Sequence, residues 1–194
     1  MKNYLVRCLT VFLFFSLCVR AVFAFEEEHG AHEHGHATLM FVQEQDELQL
    51  VFKSPAMNIV GFEHQANSPE QFSKLEWAKQ SLSDAARLFL INQSAECLLE
   101  HVDIKSTLLE ADDHSDEHDN HMQADHTADG EEEGSHSEFE AEYHFKCASI
   151  SKLKEIKVAL FDVFPSLEEV ESHIITRSGQ TLRELDRHNV SIEL

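Results

Sequence analysis

The sequence has little positive charge. It contains 15 Lys and Arg residues against 36 Asp and Glu residues, which gives a formal net charge of −21 at pH 7. A chain this acidic repels polyanions, so nucleic acid and anionic membrane surfaces are disfavoured as partners. The same field attracts cations, and cations are therefore the first class of ligand to consider.

The sequence also lacks a long hydrophobic run. The apolar stretch Val11–Val19 is too short for a membrane span, but it follows the basic residues Lys2 and Arg7 and precedes a small residue at Ala24. This pattern predicts a secretory signal peptide over residues 1–24, with no stable membrane insertion after cleavage. An uncleaved membrane anchor is the less favoured alternative.

Cysteine is scarce as well. Only Cys97 and Cys147 remain after cleavage at the predicted site, along with 12 basic and 36 acidic residues, a net charge of about −24. In an oxidising compartment an even pair of cysteines favours a disulfide. Two thiolate metal ligands are the alternative, which the same compartment disfavours because it oxidises free thiols.

Motifs of common hydrolases are absent too. The sequence has no H-E-x-x-H helix, no G-x-S-x-G elbow and no glycine-rich phosphate loop. A zinc hydrolase would need a closed ligand set with one open position and a positioned acid or base. We therefore expect a protein that is not an enzyme, with a zinc-dependent hydrolase as a weaker alternative.

In contrast to these absences, residues 111–136 form a stretch rich in histidine and acidic residues. It has no Lys, Arg or aromatic residue, and it places five histidines among ten Asp and Glu: His114, His118, His121, His126 and His136. Such a segment cannot bury enough apolar surface to offset its ordering entropy, so we expect a disordered loop without ligand. Imidazoles among carboxylates form the ligand set of a borderline divalent cation, with zinc the leading candidate.

A second histidine cluster lies upstream, in the segment EHGAHEHGH. It contains His29, His32, His34 and His36. In an extended segment His34 and His36 would point the same way, one strand repeat apart. With two such clusters, the sequence predicts binding of several Zn²⁺ ions, of unspecified stoichiometry.

The first half of the ordered chain predicts a hairpin and a helix. Ala37–Val42 and Glu47–Phe52 have strand-like composition and flank a polar turn. Ser68 can cap a helix that has Pro69 at its first position and runs to about Arg87. Its apolar stripe is Phe72, Leu75, Leu82 and Ala86.

Two further strands flank the histidine and acid stretch, and their registers conflict. Cys97–Leu109 has Leu98, Val102, Ile104 and Leu108 on one face, and Glu138–Cys147 has Phe139, Ala141, Tyr143, Phe145 and Cys147 on one face. Pairing Cys97 directly with Cys147 puts Cys97, Leu99 and His101 against that second apolar face instead. Because a one-residue slip exchanges the faces, either a bulge or a less direct pairing is needed.

The last part of the chain predicts more strands. These are Ile156–Phe164, Val170–Thr176 and Val190–Leu194, with Gly179 in a turn. The predicted fold class is therefore α+β, an antiparallel sheet with one principal helix and a long disordered loop. The predicted organisation is a signal peptide over 1–24, a His-rich segment over 25–36 and a single domain over 37–194 that contains the loop 111–136.

Several separate segments, in this order, carry a resemblance to a known family. They are EHGHATL (Glu33–Leu39), SPAMNIVGFEH (Ser54–His64), EYHFKC (Glu142–Cys147) and LFDVFPSLEEV (Leu160–Val170). With the helix, Cys97 and an intervening His and acid run, they resemble the ZrgA-like family of periplasmic zinc-binding proteins. The resemblance implies zinc binding in the periplasm and work beside a zinc-uptake ABC transporter.

The resemblance and the hairpin together favour a composite zinc site. The hairpin returns the chain towards Ala37, so His34, His36 and His64 could share one ion, with His29 or His32 as an optional ligand. A structural hydrogen-bonding role is the alternative for His64. His144 lies in the EYHFKC segment, but the resemblance gives no reason to make it a ligand. His101, His144, His173 and His188 are isolated in sequence, so structural or solvent-facing roles are expected for them.

The sequence as a whole predicts a periplasmic zinc-binding protein that captures zinc and supports its import by components of an ABC transporter. The first alternative is an extracytoplasmic buffer of excess zinc, copper or nickel without a transporter partner. Induction by zinc starvation favours uptake, whereas induction by metal excess favours buffering.

Overall fold

The computed structural model describes residues 33–110 and 137–194. The predicted signal peptide, His29, His32 and the stretch 111–136 lie outside these residues. Within the described part the chain forms nine strands: β1 His36–Glu44, β2 Glu47–Pro55, β3 Phe89–Ile91, β4 Cys97–Lys105, β5 Glu138–Cys147, β6 Glu155–Val158, β7 Glu169–Thr176, β8 Gly179–Asp186 and β9 Ser191–Glu193.

Helical segments are fewer and mostly short. They are α1 Ala56–Val60, α2 Pro69–Ser83, α3 Ala85–Leu88 and α4 Leu160–Val163, with single 3₁₀ turns at Gln93–Ala95 and Ile150–Lys152. The strands form a six-stranded sheet in the order β4-β5-β2-β1-β7-β8 and a three-stranded sheet in the order β3-β6-β9. The predicted α+β class with one principal helix is confirmed.

The first hairpin is confirmed and is tighter than predicted. Strands β1 and β2 pair antiparallel down to Glu44 opposite Glu47, so the turn has only two residues, Gln45 and Asp46. Gln45 has a φ of 51°, in the left-handed region that a tight hairpin turn requires. On its other side β1 pairs in parallel with β7, the one parallel pairing among the described strands.

The core lies on one face of the six-stranded sheet. The inward residues of the central strands are almost fully buried, as in β5, where buried positions alternate along the whole strand. Tyr143 reaches from β5 to the helical layer, because its hydroxyl donates a hydrogen bond of 2.8 Å to the carbonyl of Leu82 on α2. Its ring also meets Phe89 of β3 edge-on. One apolar core therefore joins the large sheet, α2 and the small sheet.

The opposite face of the six-stranded sheet faces away from this core, and we call it the outer face. It carries the alternate residues of each strand: Lys105, Asp103 and His101 of β4, Glu140, Glu142 and His144 of β5, Lys53, Val51 and Gln49 of β2, Thr38, Met40 and Val42 of β1, Glu171, His173 and Ile175 of β7, and Glu184, Leu182 and Gln180 of β8. No described element packs over His101, Met40, His173 or Leu182, which are all exposed.

A β-bulge settles the register of β4 and β5. Cys97 pairs with Cys147 and Leu99 with Phe145, but His101 pairs with His144, so Glu100 is the extra residue. The bulge exchanges faces along β4. Val102 and Ile104 therefore pack against the core, whereas Leu98 is 74% exposed, contrary to its predicted place on their face. Cys97 and Cys147 are joined by a disulfide, which removes both sulfurs as thiolate ligands.

The principal helix ends earlier than its periodicity predicted. Ser68 caps α2 by accepting from the backbone N–H of Gln71, as expected. The Gln71 side chain, however, accepts from the N–H of Asn67, one residue before the capping-box position. The helix stops at Ser83, and Asp84 caps the next helix, α3, which changes the phase of the apolar stripe.

Three further details of the predicted elements are wrong. Of the apolar stripe on α2, Leu75 and Leu82 are buried, but Phe72 and Ala86 are exposed. Residues predicted as the strand Ile156–Phe164 divide into the short strand β6 and the helix α4. Strand β8 was not predicted, because it is an edge strand with almost every side chain exposed and so shows no apolar alternation.

Candidate metal centre

The predicted ligands His34 and His36 lie in the tight turn Glu33–His36, whose last residue begins β1. The N–H of His36 donates to the carbonyl of Glu33 at 3.1 Å, and Gly35 between the two histidines has a φ of +89°. A side chain at Gly35 would be strained in this conformation and would also crowd Glu168. The segment is therefore not extended as expected, and the two imidazoles meet different partners.

The buried amide of Asn58 holds this turn in place. Its Oδ1 accepts from the N–H of Gly35 at 2.8 Å, and its Nδ2 donates to the carbonyl of His36 at 2.9 Å. Asn58 lies on α1 and is only 2% exposed. The start of β7 fixes the other side of the turn, where the N–H groups of Glu168 and Glu169 donate to the carbonyl of Gly35.

Each histidine of the turn lies beside a carboxylate from a distant part of the chain. His34 Nε2 is 3.4 Å from Glu63 Oε1, and His36 Nδ1 is 3.6 Å from Glu169 Oε1. The Glu63 side chain is only 15% exposed, so this carboxylate lies largely out of water. Two ligand atoms that share a tetrahedral zinc lie roughly 3.3 Å apart, given Zn–N and Zn–O distances of about 2.0–2.1 Å. Both nitrogen–oxygen pairs are close to this spacing.

His64 directly follows Glu63 in the chain, but its side chain meets other partners. Its Nδ1 is 2.9 Å from the carbonyl of Gln65, its Nε2 is 3.4 Å from the Gln71 amide nitrogen, and its ring stacks beside Phe62. Nowhere in residues 33–110 and 137–194 do three His, Cys, Asp or Glu side chains come together closely enough to hold an ion. The composite site of His34, His36 and His64 therefore stays a prediction.

The residues that border the stretch 111–136 lie beside Glu63. Ser137, the first described residue after the stretch, donates through its hydroxyl to the carbonyl of Glu63 at 2.9 Å. Before the stretch, Thr107 donates to the Ser137 hydroxyl at 3.1 Å and accepts from the Gln65 side chain through its carbonyl. The described residues that flank the His-rich stretch therefore contact Glu63 and Gln65, and Glu63 in turn lies beside His34.

Comparison with family models gives a match over residues 31–194, described as ZrgA family zinc uptake protein. The chain belongs to this family. The resemblance carried by the sequence motifs is thereby confirmed. Membership of the ZrgA family gives this chain a role connected with zinc. No curated protein matches the chain.

The ZrgA motifs acquire a structural meaning from this geometry. Segment Glu33–Leu39 supplies the turn, Ser54–His64 supplies Asn58 and Glu63, and Leu160–Val170 supplies Glu169. Three of the motif segments therefore meet at one end of β1.

The helices of the described residues include none with the length and apolar character to cross a membrane.

The structure also pairs two histidines that look isolated in the sequence. His101 of β4 is directly opposite His144 of β5 on the outer face, with ring centroids 6.1 Å apart. His173 lies on the same face and His188 near the end of β8, and neither is opposite another histidine in the described strand pairings. Sequence reasoning missed the pair because its register depends on the bulge at Glu100.

Proposed function

We propose that this protein is a periplasmic zinc-binding protein that captures zinc and supports its import by an ABC transporter, without catalysing a reaction. The observation that carries the proposal is that two His–carboxylate pairs, His34–Glu63 and His36–Glu169, lie at one end of β1. Ser137, which follows the His-rich stretch, contacts Glu63 there. Membership of a zinc uptake family supplies the metal, and the predicted signal peptide supplies the compartment.

The capture mechanism follows from the charge of the chain and from the number of its imidazole ligands. The acidic chain raises the local concentration of cations, and residues 111–136 contribute five histidines as exchangeable nitrogen ligands in addition to those of the turn. The turn can then hold an ion between an imidazole and a partly buried carboxylate. Sites with few protein ligands keep water in the coordination sphere, which allows the ion to pass to another protein.

Zinc titration of the purified protein tests the binding part of this proposal. We expect His34→Ala, His36→Ala and Glu63→Gln each to weaken the tightest zinc phase by about tenfold or more, since each removes a ligand or its partner. His188→Ala is the matched control, because His188 lies at the other end of the sequence and outside the motif segments. Equal affinity in all four variants would reject the turn as the binding site.

His64→Ala separates two forms of the site. If this variant weakens the same phase, His64 joins the other two histidines when zinc is bound. If it leaves the phase intact while His36→Ala removes it, the composite site is wrong and the carboxylates Glu63 and Glu169 are the partners instead.

Deletion of the gene tests the import part. The proposal expects slower zinc accumulation and poorer growth only when zinc is scarce. Sensitivity to excess zinc, copper or nickel with normal accumulation at low zinc would instead support a metal buffer.

A further inference from the structure

The outer face of β4 and β5 carries a pair of histidines to which the family resemblance assigns no role. His101 and His144 are direct cross-strand partners, and their rings are tilted by 44°. They border a groove of about 430 Å³ whose rim also includes Glu44, Glu47 and Glu100. Two solvent-accessible imidazoles therefore border a groove with acidic sides.

The bulge is what creates this pair. Counted from the Cys97–Cys147 pair without a bulge, position 101 would lie opposite Tyr143, on the core face. The extra residue Glu100 moves His101 to the outer face and opposite His144. Bulges are common beside functional sites, where they redirect a side chain. The disulfide joins the two strands at the same end of the pair, three residues before the bulge in β4.

A carboxylate orients one of the two rings. Glu142 Oε1 lies 2.7 Å from His144 Nε2, which is a hydrogen-bond distance and shorter than the roughly 3.3 Å between two ligands of one zinc. The Gln49 side chain donates to the same Glu142 oxygen and holds it in place. The proton of neutral His144 then stays on Nε2, which leaves the lone pair of Nδ1 for a metal. Metal-binding histidines are typically oriented by a carboxylate in this way.

We infer that His101 and His144 form a second zinc site on the outer face, with Glu142 as the positioning residue and water in the remaining positions. Imidazoles that share a tetrahedral zinc have ring centroids roughly 5 Å apart. The two rings therefore need to approach each other by only about 1 Å, which rotation of their solvent-accessible side chains allows. With only two protein ligands the site is a weak, exchangeable one. The inference rests on the proposed zinc-binding function, but it uses none of the residues of the Glu33–His36 turn.

The same sheet contains a matched comparison site. His173 Nε2 lies 2.7 Å from Glu171 Oε1, the same contact as in His144 and Glu142. Opposite His173, however, are Met40 and Leu182 instead of a second histidine. His173 therefore has the orienting carboxylate but lacks the second nitrogen ligand.

Histidine footprinting of the full chain tests the site residue by residue. The protein is treated with diethyl pyrocarbonate at increasing concentrations of zinc chloride, and modification of each histidine is read by peptide mass spectrometry. At free zinc about ten times the dissociation constant, labelling of His101 and His144 should fall about tenfold together, because only the metal-free fraction reacts. Labelling of His173 should not change over this range.

Substitutions show whether the two histidines act as one site. In His101→Ala the protection of His144 should disappear, and in Glu142→Gln it should need about 10–100 times more zinc. In Glu171→Gln the protection of His144 should be the same as in the chain without substitutions. Protection of His144 that survives His101→Ala, or that fails to develop at all, overturns the inference.

The outcome is separable from the proposed function. If zinc protects His34 and His36 but neither His101 nor His144, the outer-face site is wrong and zinc capture stands. If zinc protects no histidine of the chain, the proposed function fails and the outer-face site fails with it.

Discussion

The two faces of the six-stranded sheet differ in what their sequence must satisfy. The inner face is packed with fully buried residues such as Phe41, Leu50 and Tyr143, and one core holds both sheets and the helices together. The outer face carries His, Glu and Lys side chains on the same strands and at the same spacing. Alternation along a strand thus lets one segment hold the fold with every second residue and offer ligands with the others.

The comparison also applies within the outer face. His144 and His173 have the same carboxylate contact, yet only His144 has a histidine across the strand pair. Composition alone would rate the two positions equally. The difference comes from a single extra residue in β4, so register decides which histidine can share a metal ion.

Among the changes considered for the inner face and its core, removal of the disulfide should reduce the free energy of unfolding most. In Cys97→Ala/Cys147→Ala the free energy of unfolding should fall by roughly 4 kcal/mol, because the bridge closes a loop with a sequence separation of 50. Urea denaturation measures this loss. Leu98→Ala, at an outer-face position 74% exposed, is the control and should change stability by no more than about 0.5 kcal/mol.

A double variant as stable as the unmodified chain would show that the bridge adds nothing to the pairing of β4 and β5. Two alkylatable thiols in the unreduced, unfolded protein would show more directly that the cysteines are not joined.

The sequence predicted the inner face much better than the outer face. Alternation in β5 gave its bounds and buried side, because each inward residue is apolar. The helix break at Asp84 was missed because the helix that follows it has only four residues, too few to show a new phase of the apolar stripe. Strand β8 was missed because its side chains are almost all exposed and show no apolar alternation. The bulge could be posed only as one of two solutions to a register conflict, because the bulged residue Glu100 is exposed and leaves no pattern of its own.

The site was partly predictable for a similar reason. His34 and His36 were identified from the local cluster, but Glu63 and Glu169 reach them through long-range contacts that sequence spacing does not reveal. Asn58, which holds the turn, is a buried polar residue in an apolar segment. A buried amide of this kind was the available signal, because a polar group inside the core needs a hydrogen-bond partner.

The buried hydroxyl of Tyr143 should have the next largest effect. Tyr143→Phe leaves the carbonyl of Leu82 without its side-chain donor and should lower the free energy of unfolding by about 1–2 kcal/mol, with zinc binding unchanged. Burial raises the pKa of Tyr143 above its ordinary value of 10.0. Ionisation is therefore favoured in the unfolded chain, so this stabilisation is complete below pH 10 and is lost as pH rises above it.

Denaturation at two pH values checks that sign. Between pH 8 and pH 11 the unmodified protein should lose more stability than Tyr143→Phe, because only the former has this phenol to ionise. An identical loss in both chains would mean that Tyr143 does not stay neutral in the folded state.

The smallest effect on stability should come from the stretch 111–136, which has ligands and almost no apolar side chains to add to a core. Replacement of the stretch by a short Gly-Ser linker between Glu110 and Ser137 should change the free energy of unfolding by less than about 1 kcal/mol, since loop length enters closure entropy only logarithmically. The number of zinc ions bound should nevertheless fall. A length-matched control, with the five histidines of the stretch changed to Asn, separates ligands from linker length. Equal zinc loss in both variants assigns the binding to the histidines, whereas full zinc binding in the Asn variant would assign it to the carboxylates. Loss of cooperative unfolding in the linker variant would show that the stretch supports the fold. Stability and metal binding would then not be separate tasks of different residues in this part of the chain.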